Sequence, residues 1–350
     1  MRALVGKGLG AGLALYLLIA LVGRVGVAHA DDSISVFDYH LGHGLQIPGT
    51  GFRLGGYATG SFDNLSGDSS RLALDNLSMF IWWEGQSRWK FFSEIEYENF
   101  ADIRKASEGE DDYLSLERLY LDYALTDTST LRLGKFLTPV GRWNVIHATP
   151  LVWTTSRPLA TTLAFPTNMT GLMLTGTLPD VGNGLEYSIY ASSNGQIRTN
   201  PDVDPFYRAL GLHLTLPLSP YARIGFSYAN FSQSQLRSDR KRLLGLDYFW
   251  THDRFELSAE AVYRSSNLGS RWDEKGAYVQ LVAPLDKRLY AVGRYEVYRK
   301  ALEPATTRLS VAGLAYQLNS AVIVKAEWVS GRHNTIHATT GFLSSISVLF

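Results

Sequence analysis

The chain has 350 residues, with 33 lysines and arginines, 33 aspartates and glutamates, and no cysteine. The balanced charge argues against a nucleic-acid-binding protein, which would carry a basic patch. The lack of cysteine excludes disulfides, thiolate chemistry and lipid attachment at a cysteine.

The N-terminal residues, Met1–Ala30, have the composition of a secretory signal peptide. Arg2 and Lys7 form a basic start, Leu9–Val22 is an apolar run, and Ala28–Ala30 supplies a small-residue cleavage site. The run of about 14 apolar residues is shorter than the roughly 20 that a membrane-spanning helix requires. No long apolar run follows it, so the sequence predicts an exported chain without helical spans.

The exported chain is predicted to be an irregular lead-in, residues 31–50, followed by a single domain, residues 51–350. From Gly51 onward apolar and polar residues alternate with a period of two, which indicates strands with two unlike faces. The third predicted strand, Arg88–Asn99, has the clearest pattern. Its apolar face carries Trp89, Phe91, Ile95 and Tyr97, and its polar face carries Lys90, Glu94, Glu96 and Glu98.

The alternation is interrupted once at length, after the fifth predicted strand at Leu131–Phe136. Residues 138–167 include four prolines and no acidic residue. Eleven further strands follow and bring the predicted total to sixteen. They lie at about 168–178, 184–193, 206–217, 221–232, 240–251, 254–265, 274–284, 288–299, 307–318, 321–330 and 341–350.

The connections between these strands alternate between short and long. Residues 217–220 are a short connection, for example, and residues 194–205 are a long one. An outer-membrane barrel has short inner turns, long outer loops and an even number of strands, whereas a soluble sandwich has no reason to follow this rule. The sequence therefore predicts an all-β fold, a transmembrane antiparallel barrel of about sixteen strands, located in the bacterial outer membrane.

The two faces of the strands agree with this prediction. One face is nearly free of charge and has aromatic residues towards its ends, such as Trp83, Tyr123 and Trp250, and the other face is polar. Lipid outside the barrel and water inside account for that difference. A soluble sandwich would show the same period with its apolar face turned inward, but the signal peptide and the even strand count argue against it.

The pattern as a whole resembles a known family. The last strand ends in Phe350, and this ending resembles the C-terminal assembly signal of bacterial outer-membrane proteins. The mature chain resembles the trimeric sixteen-stranded porins, in which the third long loop folds inward and narrows the pore. Residues Arg132–Phe136, with Pro139 and Gly141, also resemble the phosphate-selective porin O and P family.

These resemblances imply a function and a set of partners. The chain is expected to be an outer-membrane porin that passes small hydrophilic solutes or ions by diffusion. It is expected to assemble as a homotrimer, to contact outer-membrane lipid and lipopolysaccharide, and to be inserted by the barrel-assembly machinery through its Phe350 strand. Residues 138–167 are expected to correspond to the third, inward-folded extracellular loop.

The charge of this predicted constriction loop departs from the family pattern. General porins usually carry carboxylates on the loop and arginines on the facing wall, whereas this loop has Arg142 and Arg157 and no acid. The inward acids are expected on the third strand instead, at Glu94 and Glu96. The polarity across the pore would then be reversed.

Two interpretations of the loop arginines remain open. In the first, Arg142 and Arg157, helped by Arg118 and Arg132, give the constriction a mild anion preference, because clusters of cationic side chains favour anions at close quarters. In the second, both loop arginines pair with wall carboxylates and only pin the loop.

Two further basic features are Lys135 and the run that ends at Arg242. Lys135 shares the parity of Leu133, which would turn it to lipid, but a bulge at Gly134 would turn it towards the lumen, and we predict that it lines the constriction. The basic run from Arg237 to Arg242 lies at a loop end. It either binds lipopolysaccharide phosphates, which arginine contacts by charge and forked hydrogen bonds, or forms a solvated loop edge.

Catalytic chemistry has little support in the sequence. Ser156 and His147 could pair as nucleophile and base, but no acid in the loop would orient the histidine and no Gly-x-Ser-x-Gly motif surrounds the serine. We therefore predict no enzyme, no cofactor and no metal. The alternatives are an outer-membrane lipase or protease, and a channel for less polar solutes. The loop's apolar residues admit the latter: Trp143, Val145, Ile146, Leu151, Trp153, Leu163 and Phe165.

Overall fold

The structure is a computed structural model that describes residues 38–67, 69–104, 113–146, 148–193, 195–197 and 203–350, with only the backbone at residues 38 and 99–104. The predicted signal peptide and His147 lie outside the described residues. Within these ranges, eighteen strands form one sheet.

The two N-terminal strands are short, and the sixteen that follow are long. The bounds are β1 Asp38–His40, β2 Gly44–Gln46, β3 Phe52–Leu65, β4 Arg71–Glu84, β5 Trp89–Arg104, β6 Tyr113–Thr126, β7 Ser129–Leu137, β8 Asn168–Leu178, β9 Leu185–Ser193, β10 Phe206–Pro217, β11 Ala222–Gln233, β12 Lys241–His252, β13 Phe255–Ser266, β14 Glu274–Pro284, β15 Leu289–Arg299, β16 Thr307–Gln317, β17 Val322–Arg332 and β18 Gly341–Leu349.

The long strands close into a barrel. Each strand from β3 to β18 pairs antiparallel with the next one along the chain. The last strand, β18, then pairs with β3, from Gly341 opposite Leu65 to Leu349 opposite Tyr57. This closed barrel of sixteen antiparallel strands confirms the predicted fold and strand number.

The connections also follow the prediction. Those at one end of the barrel are two to six residues long, and those at the other end are five to thirty residues long. We call these the short-turn end and the long-loop end. The longest connection, between β7 and β8, is residues 138–167.

The lead-in is less irregular than the sequence suggested. Its two short strands form a hairpin, and Leu45 and Gln46 of β2 pair with Leu54 and Arg53 of β3. Strands of three residues are too short for a period of two to be recognised. Beside this hairpin the backbone of Phe350 exchanges hydrogen bonds of 2.8 and 2.9 Å with Gly56.

The predicted difference between the two faces is confirmed. On β17, Lys325 and Glu327 are 1% and 3% exposed, whereas Trp328, which points to the opposite face of the strand, is 57% exposed. On β15, Arg294 and Glu296 are buried and Tyr295 is exposed. Charged side chains thus face the barrel interior and apolar ones face outward, as in membrane barrels with an aqueous lumen.

Helical elements are few. The connection between β7 and β8 contains two 3₁₀ turns, Trp143–Ile146 and Thr149–Leu151, and one short α-helix, α1, Leu159–Leu163. A third 3₁₀ turn, Ser270–Trp272, precedes β14. None of the helices in the described ranges is long and apolar enough to cross a membrane.

Candidate channel constriction

The two ends of the 138–167 segment are held together at a narrow neck. The amide of Thr138 donates to the carbonyl of Thr167 at 2.9 Å, and its hydroxyl donates to the carbonyl of Pro166 at 2.7 Å. The side chain of Asn144 donates to the carbonyls of both Thr138 and Thr167 at 2.8 Å. The segment therefore leaves and returns to the wall at one point.

The first contact of the segment with the wall is at Glu260 on β13. One carboxylate oxygen of Glu260 accepts hydrogen bonds from the amides of Trp143 and Arg142 at 2.6 and 3.2 Å. It also accepts one from the hydroxyl of Tyr278 at 3.0 Å. Gly141 precedes this turn with φ of 65°, and a Cβ there would lie 2.1 Å from Glu260 Oε2. This close approach requires glycine.

The second contact is made by Lys325 on β17. Its ammonium donates to the carbonyls of Thr149, Thr154 and Val152 at 2.8, 3.2 and 3.4 Å. An ammonium has three donors, and here all three go to backbone carbonyls of the segment. A buried charge is tolerated only when its hydrogen-bonding capacity is used, so this lysine and the bend at 149–154 stabilise one another.

The third contact is made by Arg294 on β15. Its guanidinium donates to the hydroxyl of Thr154 at 2.7 Å, and to the carbonyl and hydroxyl of Ser156 at 3.0 and 2.6 Å. These bonds hold the stretch that follows the lysine contact.

Two wall carboxylates add to the attachment. Glu327 accepts from the amides of Thr155 and Ser156 at 3.0 and 2.7 Å, and Glu296 accepts from the amide of Leu159 at 2.7 Å. The donors and acceptors that hold the segment thus come from inward-facing charges of the wall, and from the backbone and two hydroxyls of the segment. This explains how a segment without acidic residues is fixed against a charged wall.

The apolar residues of the segment take different positions. Trp143 packs with Val152 and Tyr278, and Phe165 is buried with residues of α1 against the wall. Val145 and Leu151 remain 42% and 57% exposed.

Arg142 and Arg157, the predicted selectivity residues, have no carboxylate within 4 Å among the described residues. Arg142 stacks on the ring of Phe249 at 3.8 Å. Arg157 lies 4.8 Å from the ring of Trp143 and donates to Asn144 Oδ1 at 3.3 Å. Among the described residues, the segment is held by wall side chains such as Glu260, Lys325 and Arg294 and not by ion pairs of these two arginines.

Both guanidinium groups nevertheless lie in an acidic surrounding. Burial lowers the pKa of Arg157, and the carboxylates of Glu117, Glu96 and Glu98 oppose that change. Burial also lowers the pKa of Arg142, and the carboxylate of Glu256 opposes it. A guanidinium keeps its charge in proteins, so the two arginines remain cations opposite an acidic wall.

The acidic wall is the inner face of β5 and β6. Glu94 and Glu96 are 0% and 5% exposed, and Glu96, Glu98 and Glu117 have carboxylate oxygens within 4.8 Å of one another. This spacing would admit a cation, although Arg157 already directs positive charge to the same space. Glu117 was not predicted. Arg118 stands opposite Glu94 and Leu116 stands opposite Ile95, so a bulge lets Glu117 join the inward acids.

Two other predicted arginines are paired. Arg118 forms an ion pair with Glu94. Arg132 binds both oxygens of Asp122, at 2.7 and 2.8 Å, and stacks on Tyr120 at 3.6 Å. Their charges are therefore largely compensated, unlike those of Arg142 and Arg157.

The strand register places Lys135 on the opposite face of β7 from Arg132. It stands opposite Leu119 and Thr170, on the side of the strand that carries Leu133, and it is 1% exposed. Gly134 has φ of 133°, as a local distortion requires. The register gives no support for a lumenal Lys135, and its role in the constriction stays a prediction.

A group of polar side chains around His213, which the sequence did not reveal, lies beside the segment. His213 Nδ1 is 2.8 Å from Ser227 Oγ and 4.0 Å from Asp247 Oδ2, and His213 Nε2 is 3.0 Å from Thr215 Oγ1. A distance of 4.0 Å is too long for the hydrogen bond that orients a catalytic histidine. Ser227 Oγ also accepts the amide of Gly141 at 3.1 Å. The arrangement supports the segment and lacks the geometry of a nucleophile.

A cavity of about 490 Å³ adjoins the segment on the side of the long loops. Its lining combines the charged Arg157, Asp63 and Asp75 with buried apolar residues of β16 to β18. These apolar residues are Leu309, Val329 and Leu343. The cavity beside the segment is thus lined by both polar and apolar side chains.

The comparison with known proteins agrees with this architecture. No protein-family model matches the chain, and no curated protein sequence matches it. Among solved structures, OmpF of Salmonella typhi in complex with daunomycin matches with a TM-score of 0.62 and 15% identity, covering 86% of this chain and 98% of that one. The chain has a porin fold. The anion-selective porin of Comamonas acidovorans matches with a TM-score of 0.55 and 13% identity over 85% and 98% of the two chains. The trimer form of OmpT, an outer-membrane protein of Vibrio cholerae, matches with a TM-score of 0.55 and 8% identity over 85% and 99%.

Proposed function

We propose that this protein is a porin of the bacterial outer membrane, through which small hydrophilic solutes or ions pass by diffusion. The observation that carries the proposal is the closed sixteen-stranded barrel whose charged inner face holds the 138–167 segment. A barrel of this size leaves an aqueous channel rather than a packed interior. Passage through it needs neither turnover nor a cofactor.

The 138–167 segment is proposed to be the constriction, entered from the long-loop end. Its contacts with β13, β15 and β17 support this role, because they hold it across from β7, where it starts. The width of the channel would then be set by fixed backbone rather than by a mobile loop.

The constriction is proposed to have a mild anion preference, as for phosphate. Among the residues that the structure describes, Arg142 and Arg157 have no carboxylate within 4 Å, whereas wall carboxylates such as Glu260 and Glu327 accept hydrogen bonds from backbone amides. Unpaired cations at a narrow point favour anions. The acids at Glu96 and Glu117 oppose the effect, which is why the preference is expected to be mild.

Selectivity is tested by the reversal potential in a planar lipid bilayer under a KCl gradient. A potential of the sign given by faster chloride passage supports the proposal. Firm cation selectivity contradicts it. Block of the chloride current by phosphate would support the resemblance to the phosphate-selective family, and its absence would argue against it.

A channel for less polar solutes is a second candidate, supported by the apolar residues in the lining of the 490 Å³ cavity. Swelling of liposomes that contain the protein distinguishes the two functions. Faster entry of a less polar solute than of a sugar of equal size would favour the second candidate. Replacing Leu309 with serine should then remove the difference.

Several properties follow from the porin proposal and belong to it. They are export by a signal peptide at residues 1–30, a lead-in on the periplasmic side, a homotrimeric assembly, contact with lipopolysaccharide and insertion through the Phe350 strand. The protein is proposed not to be an enzyme. The engagement of Ser156 by Arg294 supports this, because it leaves the serine hydroxyl committed to the attachment of the segment.

A further inference from the structure

The cavity of about 490 Å³ beside the segment is lined by three parts of the chain. They are residues 155–163 of the segment, side chains of β3, β4 and β15 to β18, and residues 336–339 of the loop between β17 and β18. Small-molecule pockets have volumes of roughly 300–1,000 Å³ and combine apolar surface with a few polar groups. The cavity therefore has the size and the mixed lining of a binding site for a small solute.

The loop between β17 and β18 contributes to the apolar part of this lining. Ala338 packs against a cluster that includes Leu309, Val329 and Leu343. The side chain of Asn334 donates to the carbonyl of Ala338 at 2.6 Å and accepts a hydrogen bond from its amide at 2.8 Å. These bonds fix the loop where it meets the wall, so the apolar part of the lining is built before a solute arrives.

Charged groups of both signs belong to the same lining. Arg157 supplies a guanidinium that has no carboxylate within 4 Å among the described residues. Asp63 and Asp75 supply two carboxylates, and Arg71 holds both, with Nη1 3.4 Å from Asp63 Oδ2 and 2.7 Å from Asp75 Oδ1. Like charges repel at close range, so the aspartates disfavour a simple anion and Arg157 disfavours a simple cation. A solute that carries both charges meets a partner for each.

Two residues of the lining have buried polar atoms without a hydrogen-bond partner in the part of the chain that the structure describes. These atoms are Ser61 Oγ and Arg157 Nε. Ser61 is 4% exposed, and its hydroxyl can both donate and accept. The hydrogen bond from Arg157 to Asn144 Oδ1 uses a different nitrogen, Nη2. Because buried polar groups are nearly always hydrogen-bonded, these two atoms indicate that a polar group of a solute completes the site.

We propose that this cavity binds a small zwitterionic solute with an apolar group, of the class of an α-amino acid with an aliphatic side chain. Arg157 binds the solute carboxylate through forked, charge-assisted hydrogen bonds. Asp75 binds the ammonium, and the apolar group lies against Leu309 and Val329. A purely apolar solute would leave Ser61 Oγ and Arg157 Nε without partners. The inference rests on the porin proposal for the access of the solute through the lumen, and it adds the class of solute that is retained beside the segment.

The test measures solute binding to the purified full-length protein in detergent by saturation-transfer NMR titrations. The probes are leucine, N-acetyl-leucine, which lacks the positive charge, leucinamide, which lacks the negative charge, and glycine, which lacks the apolar side chain. Leucine is expected to bind about tenfold more tightly than each of the other three, because each of them loses one charged hydrogen bond or the apolar contact. Binding of N-acetyl-leucine or of leucinamide as tight as that of leucine would overturn the proposal and assign the cavity to simple anions or to simple cations.

Three variants assign the groups of the solute to residues of the lining. Arg157→Gln should weaken leucine binding by about tenfold and leave leucinamide binding unchanged, because leucinamide has no carboxylate. Asp75→Asn should weaken leucine binding and leave N-acetyl-leucine binding unchanged, because that probe has no ammonium. Leu309→Ser should weaken leucine binding and leave glycine binding unchanged. Leu268→Ser and Arg271→Gln are the matched controls, in an exposed loop at the same end of the barrel, and should bind all four probes as wild type does.

Channel recordings check folding and keep this proposal separate from the porin proposal. Each variant should give open-channel currents in a planar bilayer, which shows that its barrel is folded. Unchanged leucine affinity in a conducting Arg157→Gln variant, or an equal loss in the Arg271→Gln control, would refute the site. A wild-type protein that conducts and does not bind leucine would also refute the site and leave the porin proposal intact. A wild-type protein that binds leucine and does not conduct would support the site and contradict the porin proposal alone.

Discussion

Lys325 is the most informative place to perturb the constriction, because one side chain holds three carbonyls of the 138–167 segment. In Lys325→Met the apolar stem is kept and the three hydrogen bonds, of 2.8, 3.2 and 3.4 Å, are lost. A hydrogen bond to a charged group contributes about 1.5–3 kcal/mol in a buried site. The lumen lets water replace part of this, so we expect docking of the segment to weaken by about 2–4 kcal/mol.

This loss should change the channel and not the barrel. The strands of the wall keep their own pairing, so the variant should still migrate as a folded barrel in unheated gels. Single-channel recordings should show larger or noisier open-state currents, and limited proteolysis should cleave within residues 138–167 faster than in wild type. Lys287→Met, at an exposed turn, is the control. A Lys325→Met channel with wild-type conductance, noise and protease resistance would refute a role of Lys325 in holding the segment.

Three further changes test the other contacts. Gly141→Ala places a Cβ 2.1 Å from Glu260 Oε2 at φ of 65°, so it should weaken docking by about 1–3 kcal/mol and raise the protease sensitivity of the segment. Glu327→Gln leaves one of its two amide donors, on Thr155 or Ser156, without an acceptor, which should cost about 1–3 kcal/mol and increase current noise; wild-type noise would count against it. Arg157→Gln should move the reversal potential towards cation passage, and an unchanged potential would show that this arginine does not set selectivity. Burial lowers the pKa of Arg157, so its charge would be lost only as pH rises through that lowered value. Because a guanidinium stays protonated far above neutrality, the wild-type preference should be constant between about pH 7 and 9.

The strands were predictable because one face of each touches lipid and the other touches the lumen. That contrast repeats every second residue and is therefore visible in the sequence as alternating polar and apolar residues, as at Glu94 and Glu96 on β5. The boundaries of the 138–167 segment were predictable for the opposite reason, since its prolines and missing acids break the period.

The attachment of the segment was not predictable. Lys325 and Arg294 lie more than a hundred residues from the atoms that they hold, and nothing local distinguishes them from other inward-facing cations. Glu117 depends on a bulge, whose position leaves no periodic signal. The bonds at Glu260 and Glu327 go to backbone amides, which every sequence offers at every residue except proline.

We propose that the barrel is an open channel narrowed by a fixed segment. The most direct test is to record single channels of the purified wild-type protein in a planar lipid bilayer of defined composition. We expect regular open-channel steps of uniform size with a mild preference for chloride over potassium. A folded barrel that inserts into the bilayer without regular steps would contradict it.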